Sequence, residues 1–239
     1  MKSPSDLWVY LSASPLIWLT LTVCTWIVAS ELSMKLGRNP IVNPVITSIL
    51  LLSVLLWLAD VPYARYFAGA QFVHFLLGPA TVAIAIPFAR QWRDVKRLLV
   101  PMAVALIAGS FAAVLSVVAL GRAVDLSHEV LVSFLPKSAT AGVAMAISAS
   151  LGGNPSLTAV LVMLTGIVGV LIVTPLMNAM KITDYAARGF AAGLTAHGIG
   201  TARAFDVDKT AGLFAGIALA LNALATSLIV PLLAAALVR

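Results

Sequence analysis

The sequence has almost no cysteine and little charge. Its single cysteine, Cys24, excludes an internal disulfide, and the three histidines form no metal-ligand spacing with it or with each other. Only 10% of the 239 residues are charged. We therefore expect no metal site, no redox centre and no cofactor.

Polar segments are scarce as well, and this limits the classes of function. The breaks between hydrophobic runs are too short to hold a soluble catalytic module, and no Ser-His-Asp set or carboxylate pair lies in one predicted pocket. The net charge of +6 comes from basic residues scattered between the runs, which does not indicate nucleic-acid binding. The sequence does not predict an enzyme.

Hydrophobic residues make up 61% of the chain. They form runs long enough to cross a hydrocarbon core of roughly 30 Å as helices, so we predict an all-α polytopic membrane protein. The eight predicted hydrophobic segments cover about 7–30, 41–59, 66–89, 99–120, 130–150, 155–178, 186–203 and 210–238.

Two landmarks recur in the same order in both halves of the chain. "LGRNP" at 36–40 precedes the second segment, and "LGGNP" at 151–155 precedes the sixth. "FAGAQFVHFLLGPATVAIA" at 67–85 resembles "FAAGLTAHGIGTARAF" at 190–205, and each has a histidine shortly before a glycine. This order predicts a four-plus-four internal repeat with discontinuous helices, as in secondary transporters.

We predict one transmembrane domain over residues 1–239, with repeats at about 7–120 and 130–238. The bias of Lys and Arg towards cytoplasmic loops places Lys35 and the basic cluster at 90–97 inside the cell. In the second half the bias is reversed. Either one broken segment does not cross completely, or the bias there is too weak to assign, and both alternatives stay open.

Helix breakers mark four places inside the hydrophobic segments, one of them the turn Gly198-Ile199-Gly200. Main chain released from helical hydrogen bonding at membrane depth is tolerated only where protein buries it or water reaches it. The other predicted breaks are formed by Gly78, Pro79, Pro136, Gly152, Gly153, Asn154 and Pro155.

Two of these breaks carry a cation. A half-helix that starts inside the membrane presents unpaired N–H groups, which suit an anion. In "HGIGTAR" the glycines allow the turn, Thr201 is a candidate cap and Arg203 adds a charge; in "FLPKSATAG" Pro136 suits a first helical position. The predicted substrate-binding residues are Lys137, Ser138, Thr140, His197, Gly198, Gly200, Thr201 and Arg203.

Each of these side chains also has a structural interpretation. Arg203 is close to acids at a span end, and Lys137 is near enough to a loop to snorkel. His197 suits a packing donor as well as a proton-coupling group, and Gly189 and Gly193 share its face as a close-packing stripe. The positions that correspond to Lys137 and Arg203 in the first half are neutral, namely Thr22 and Thr81, which favours a ligand-binding role for the two cations. Asn222 in the last segment is a candidate interhelical hydrogen bonder.

The stretches "FLLGPATVAIAIPF", "LPKSATAGVAMAISASLGGNPSLTAVLVMLTGIVG" and "ARGFAAGLTAHGIGTARAF" resemble signature stretches of the LrgB/CidB family of bacterial membrane proteins, and the resemblance covers essentially the whole chain. One departure is visible. After Lys137 this chain has Ser-Ala-Thr-Ala where the family tends to have Thr-Thr-Pro and a downstream acid, so an acid-dependent coupling at that place is not supported.

The resemblance implies two functions in the bacterial inner membrane. One is a carrier of small monocarboxylates such as glycolate, glycerate or pyruvate, as for the similar plastidial glycolate/glycerate translocator, with H⁺ or Na⁺ as a candidate coupling ion. The alternative is a holin- or antiholin-like regulator of murein hydrolase export and autolysis that acts with a small LrgA/CidA-type partner. The repeat, the breaks and the cations favour the carrier, and we expect a homo-oligomer, with the dimer as the common state for repeat-built carriers.

Overall fold

The structure is a computed structural model that describes residues 14–38, 42–76, 79, 89 and 92–237. All regular secondary structure in those residues is helical. Four of the helices are long and apolar enough to cross a membrane, which confirms a multi-pass helical membrane protein. They are Pro15–Lys35, Val95–Ala123, Pro155–Ala179 and Lys209–Leu237.

The chain divides into two compact units, Met1–Ala83 and Ile84–Arg239. The first unit contains α1 (Pro15–Lys35), α2 (Pro44–Leu58) and α3 (Tyr63–Phe75). Trp18 of α1 is fully buried and packs edge-on against Tyr66 of α3, which also lies 3.3 Å from the Thr22 hydroxyl. The missing side chain of Gly69 lets α3 approach the main chain of α1 at Pro15.

Proline and asparagine set the start of α2. Pro44 occupies the first turn, where its missing N–H removes no helical bond, and the Asn43 side chain accepts a 2.8 Å hydrogen bond from the Val45 N–H. The helix after "LGRNP" therefore begins four residues beyond that motif, whereas Pro155 of "LGGNP" is itself the first residue of its helix. The two motifs do not hold equivalent positions relative to the helix that follows.

The described residues of the second unit form three long helices and three shorter or broken ones. The long helices are α4 (Trp92–Ala123), α7 (Pro155–Ala179) and α9 (Lys209–Leu237). Between them lie α5 (His128–Phe134), α6 (Ala141–Ser150) and α8 (Tyr185–Val207).

Helix α8 reverses direction in its middle. Ala196 and His197 have non-helical torsion angles, and a side chain at Gly200 would collide with the Ala192 carbonyl. In a continuous helix Ala192 and Gly200 would be about 12 Å apart along the axis. Residues 185–207 therefore form two antiparallel arms, which we call hairpin B.

Residues 128–150 make a second reversal, which we call hairpin A. The chain enters through α5, turns at 135–140 and returns through α6. The two ends of hairpin A meet, because the Asn154 N–H just after α6 donates a 2.8 Å hydrogen bond to the Ser133 hydroxyl of α5. Neither arm is long enough to span a core of about 30 Å, since ten residues of helix rise only about 15 Å.

The two hairpins lie at opposite ends of α9. Gly189 of hairpin B packs on the main chain of Ala211 near the start of α9. Leu131 and Ile147 of hairpin A belong to a buried cluster with Val230, near the end of α9. The hairpins therefore enter the unit from opposite ends and point towards each other.

Hairpins A and B correspond to the fifth and seventh predicted segments. Both segments have the length of a single crossing, but the chain folds back in each. The four-plus-four repeat, the single domain and the transporter-like architecture stay predictions. Gly78 and Thr81 lie outside the described residues, so the break predicted at Gly78 and Pro79 is not described.

Candidate functional site

The two hairpins meet at one buried asparagine. Asn222 lies near the middle of α9 and is 2% exposed. Its Nδ2 atom donates to the main-chain carbonyls of Ser138 in the turn of hairpin A, at 2.8 Å, and of Leu194 in hairpin B, at 3.1 Å. Its Oδ1 atom accepts from the hydroxyls of Ser110, at 3.2 Å, and Thr226, at 3.3 Å.

This arrangement follows from the break in α8. In a continuous helix the Leu194 carbonyl would accept from the N–H of Gly198, four residues later. His197 stands between them with φ 42° and ψ −129°, outside the helical region. The Asn222 amide supplies a donor at that position, which satisfies a buried carbonyl that costs free energy when left without one.

His197 is held in its unusual conformation by α7. The residue is 5% exposed, and its Nε2 atom donates to the Val162 carbonyl at 2.8 Å. A side chain at Gly166 would lie 2.7 Å from the imidazole ring, so the glycine makes room for it. A positive φ at a residue with a side chain costs about 1–3 kcal/mol, and this hydrogen bond offsets part of the cost. His197 is thus a packing donor, and its role towards a substrate stays a prediction.

Arg203 lines a cavity of about 190 Å³ between α7 and hairpin B. The residue is 8% exposed. Both arms of the hairpin contribute an arginine to the cavity, and none of the described residues that line it is Asp or Glu. The polar side chains of its lining belong to Thr174, Asn178, Tyr185, Arg188 and Arg203.

Neutral groups hold Arg188 in place. Its Nη2 atom donates to the Asn178 side chain and to the Thr174 carbonyl, the latter at 3.4 Å. Because neither acceptor is a carboxylate, these contacts leave the positive charge of the guanidinium uncompensated. The cavity therefore favours a small anion.

Lys137 lies elsewhere. It is half-buried in the turn of hairpin A and lines a different, mainly apolar cavity with residues of α4. No described cavity contains both Lys137 and Arg203. The prediction that both cations bind one carboxylate stays untested by this arrangement, although Asn222 links the two hairpins that carry them.

Several predicted details of the two breaks differ from the structure. The reversal lies at Ala196 and His197 rather than at Gly198 and Gly200; Gly198 is exposed, and Gly200 provides the close approach of the two arms. The Thr201 hydroxyl donates to the His197 carbonyl at 2.9 Å, so Thr201 does not cap a helix. A threonine hydroxyl in a helix reaches the carbonyl four residues earlier, which explains why Thr201 bonds to His197 and not to a helix N-terminus.

The turn of hairpin A also differs from what the sequence predicts. Pro136 is buried in the turn and is not a first helical residue, because α6 begins at Ala141. Thr140 is the N-cap residue of α6 but makes no side-chain capping bond. Ser138 contributes its carbonyl to Asn222.

The break at 152–155 is a helix boundary. Gly152 has φ 80°, a conformation that glycine adopts without strain. The Asn154 side chain caps α7 by accepting from the Leu157 N–H at 3.1 Å, and Pro155 follows at the first helical position.

Sequence reasoning missed Arg188 and Asn178 as cavity residues. The reversal of hairpin B, which brings Arg188 towards Arg203, has no local signature in the sequence. The role of Asn222 as an interhelical hydrogen bonder is confirmed. The stripe at Gly189 and Gly193 is a close-packing stripe, since side chains there would collide with main-chain atoms of α9.

Comparison with known proteins identifies relatives along nearly the whole chain. The chain is 32% identical to the uncharacterized protein YxaC of Bacillus subtilis over 217 residues, which is 91% of this chain and 94% of YxaC. It is 26% identical to the holin-like protein CidB of Staphylococcus epidermidis, over 94% of this chain and 96% of that protein. The holin-like protein CidB of Staphylococcus aureus is 27% identical over 91% of this chain and 95% of that protein.

No solved structure matches the chain. The model of the LrgB-like family matches residues 22–236, a range that includes both hairpins, Asn222 and the cavity beside Arg203. The chain belongs to the LrgB-like family.

Proposed function

We propose that this membrane protein is a carrier of small monocarboxylates, such as glycolate, glycerate or pyruvate, in the bacterial inner membrane. The observation that carries the proposal is the meeting of two opposed hairpins at Asn222. Non-helical main chain inside a membrane needs burial or a cavity, and carriers use such broken segments to bind substrates near the midplane. A helix assembly that only forms lesions has no need of them.

The cations of hairpin B support an anionic substrate. A guanidinium at the centre of a membrane helix costs about 2.5 to 3.5 kcal/mol or more. Arg188 and Arg203 lie about one turn from the ends of α8, where the cost is smaller, and a bound carboxylate offsets part of it. Arg203 and Arg188 line one cavity with no described Asp or Glu. The substrate carboxylate binds Arg203 in this proposal, and the hairpin turns with Lys137, Ser138 and His197 complete the path across the membrane.

A holin-like role is the second candidate, and the names of the CidB relatives favour it. These names support that role better than they support a specific carried substrate. In this case the chain regulates murein hydrolase export together with an LrgA/CidA-type partner. The two functions are compatible, because export of a metabolite alters the conditions for lysis.

Counterflow in proteoliposomes tests both candidates. Vesicles that contain this chain alone are loaded with glycolate or pyruvate, and uptake of the labelled acid is followed. We expect saturable exchange that Arg203→Gln abolishes. Arg122→Gln is the matched control, since Arg122 donates to the Leu237 carbonyl at the opposite end of the unit, and it should keep the exchange.

The alternatives give different results. Dye leakage without exchange would refute the carrier and favour the holin-like role. Activity that needs a co-reconstituted LrgA/CidA-type protein would instead make the chain one subunit of a complex.

A further inference from the structure

A half-buried lysine lies in the turn of hairpin A, outside the cavity that contains Arg203. Among the residues that the structure describes, no hydrogen bond or ion pair reaches the ammonium group of Lys137. The acid of the same hairpin, Glu129, is engaged elsewhere, since its carboxylate lies 3.4 Å from the Asn154 side-chain nitrogen. A lysine inside a membrane is costly unless it pairs, snorkels or serves a site. The charge of Lys137 is therefore open to an anion.

Lys137 lines a cavity of about 230 Å³ between hairpin A and the second half of α4, which we call the Lys137 groove. The lining has one other polar side chain, Ser116, whose hydroxyl donates to the Ala113 carbonyl of its own helix at 3.0 Å. None of the described residues of the lining is Asp or Glu. The apolar part of the wall consists of Val117, Leu120, Gly121, Val124, Leu126 and Phe134. The groove thus combines a single positive charge with a wall of hydrocarbon.

The lysine lies at the inner end of this groove. Near the end of α4, Gly121 packs against α5, because a side chain there would collide with that helix. At the other end, Ser138 follows Lys137 in the chain and shares a partner with α4, since both Ser138 and Ser110 bond to Asn222. The groove therefore runs inward along α4 from its end. A ligand that pairs with the lysine points its charge inward and its apolar part towards the end of α4.

The volume of the groove sets the size of its ligand. An apolar cavity of about 150 Å³ in another protein takes up benzene, a body of about six carbons. The Lys137 groove, at about 230 Å³, has room for a body of that size together with a carboxylate. An acid of two or three carbons would leave most of the apolar wall uncovered and would gain little from burial. The groove therefore differs in specificity from the cavity of Arg188 and Arg203.

We propose that the Lys137 groove binds a small, water-soluble monocarboxylate with an apolar body of about six carbons, such as hexanoate or benzoate. The carboxylate pairs with the Lys137 ammonium, and the apolar surroundings strengthen this ion pair relative to water. The hydrocarbon part covers the wall formed by Val117, Leu120 and Val124. One ammonium matches one negative charge, so a dianion would bury a charge without a partner.

Thermal unfolding of the purified full chain in detergent tests this site without any transport measurement. Tm is measured with increasing sodium benzoate, with benzamide as the neutral molecule of the same shape, and with NaCl at equal ionic strength. We expect benzoate to raise Tm in a saturable way, because a ligand that binds only the folded state stabilises it. Benzamide and NaCl should not, because neither pairs a carboxylate with Lys137.

A series of straight-chain acids measures the length of the groove. From butyrate to hexanoate, each added methylene should lower the concentration for half of the effect about fourfold, the value expected when one methylene is buried. Beyond the length that fills the groove the gain should stop. A gain that continues to dodecanoate would mean that the ligand is a membrane fatty acid, and the proposed size limit would be wrong.

Matched variants locate the effect. Lys137→Gln removes the charge and nearly keeps the size, so the benzoate-specific rise should be lost. Lys181→Gln is the control, because Lys181 is exposed just beyond α7 and lines none of the described cavities. Arg203→Gln should also keep the rise, because Arg203 lines the other cavity. A rise that needs Arg203 and not Lys137 would place benzoate in that cavity and overturn the proposal.

Filling the groove decides the question if Lys137→Gln does not fold. Leu120 is 68% exposed, so the fold should accept Leu120→Trp, and the larger ring should raise the benzoate concentration for half of the effect several-fold. Val104→Trp is the control, at a residue of the same helix that is 62% exposed and lies outside the groove. An equal rise with benzoate and benzamide, or an undiminished rise in Lys137→Gln, would refute the site. Since no transport is measured, these outcomes are independent of the carrier function.

Discussion

Replacing Asn222 by leucine tests whether this residue joins the two hairpins. Leucine has nearly the same size but neither donates nor accepts hydrogen bonds. The substitution removes four hydrogen bonds, two of them to the main-chain carbonyls of the hairpins. An interhelical hydrogen bond in a membrane protein contributes about 0.6 kcal/mol on average and up to about 1.7 kcal/mol.

Four such bonds at the average value give a loss of about 2.4 kcal/mol in the free energy of unfolding. The largest share should come from the Ser138 and Leu194 carbonyls, because a buried carbonyl without a donor also loses its hydration. Unfolding by SDS titration, followed by circular dichroism, measures this loss. Thr165→Val removes one bond within a helix and should cost well below that amount.

A double-mutant cycle separates the contribution of the interhelical hydrogen bond from an unspecific loss of stability. Ser110→Ala in α4 removes one donor to the Asn222 side chain, and its effect should be smaller in the Asn222→Leu background than alone. A loss below about 0.6 kcal/mol for Asn222→Leu would refute the junction, because it is no more than one average bond.

Further predictions concern close packing and topology. Gly193→Ala should cost about 1–3 kcal/mol in SDS unfolding, since its methyl group collides with the Ala215 carbonyl; an unchanged stability would contradict the packing of α8 on α9. In a chain with Cys24→Ser, a membrane-impermeant thiol reagent should label Asp125→Cys and Ser156→Cys from the same side of the membrane, because hairpin A returns to the side from which it enters. Labelling from opposite sides would mean that residues 128–150 cross.

The long helices could be predicted from the sequence, but the hairpins could not. A run of about 20 apolar residues has the length of a crossing whether or not its chain turns back. The breakers in "FLPKSATAG" and "HGIGTAR" marked the neighbourhoods of both reversals. They did not locate the turn of hairpin B, because a histidine rather than a glycine takes the positive φ there. The hydrogen bond that His197 donates to the Val162 carbonyl of α7, 35 residues away in sequence, supports that conformation.

The candidate site, too, could be predicted from the sequence only in part. The sequence alone singled out Arg203, because a cation in an apolar run is costly in a membrane whatever fold the chain adopts. Arg188 became part of the same cavity only through the reversal of hairpin B. Three of the four Asn222 partners lie 28, 84 and 112 residues away along the chain, distances over which no local pattern extends.

The hairpins also explain why the bias of Lys and Arg looks reversed in the second half of the sequence. When residues 128–150 and 185–207 return to the side from which they enter, the start of α4, the end of α7 and the start of α9 share one side. That side carries most of the basic residues of the second unit, namely Arg93, Lys96, Arg97, Lys181, Arg188 and Lys209.

The bias of Lys and Arg makes this side cytoplasmic. Of the two alternatives that the sequence left open, the structure supports incomplete crossing. The cavity of Arg188 and Arg203 then lies towards the cytoplasm, and the open end of hairpin A lies towards the outside.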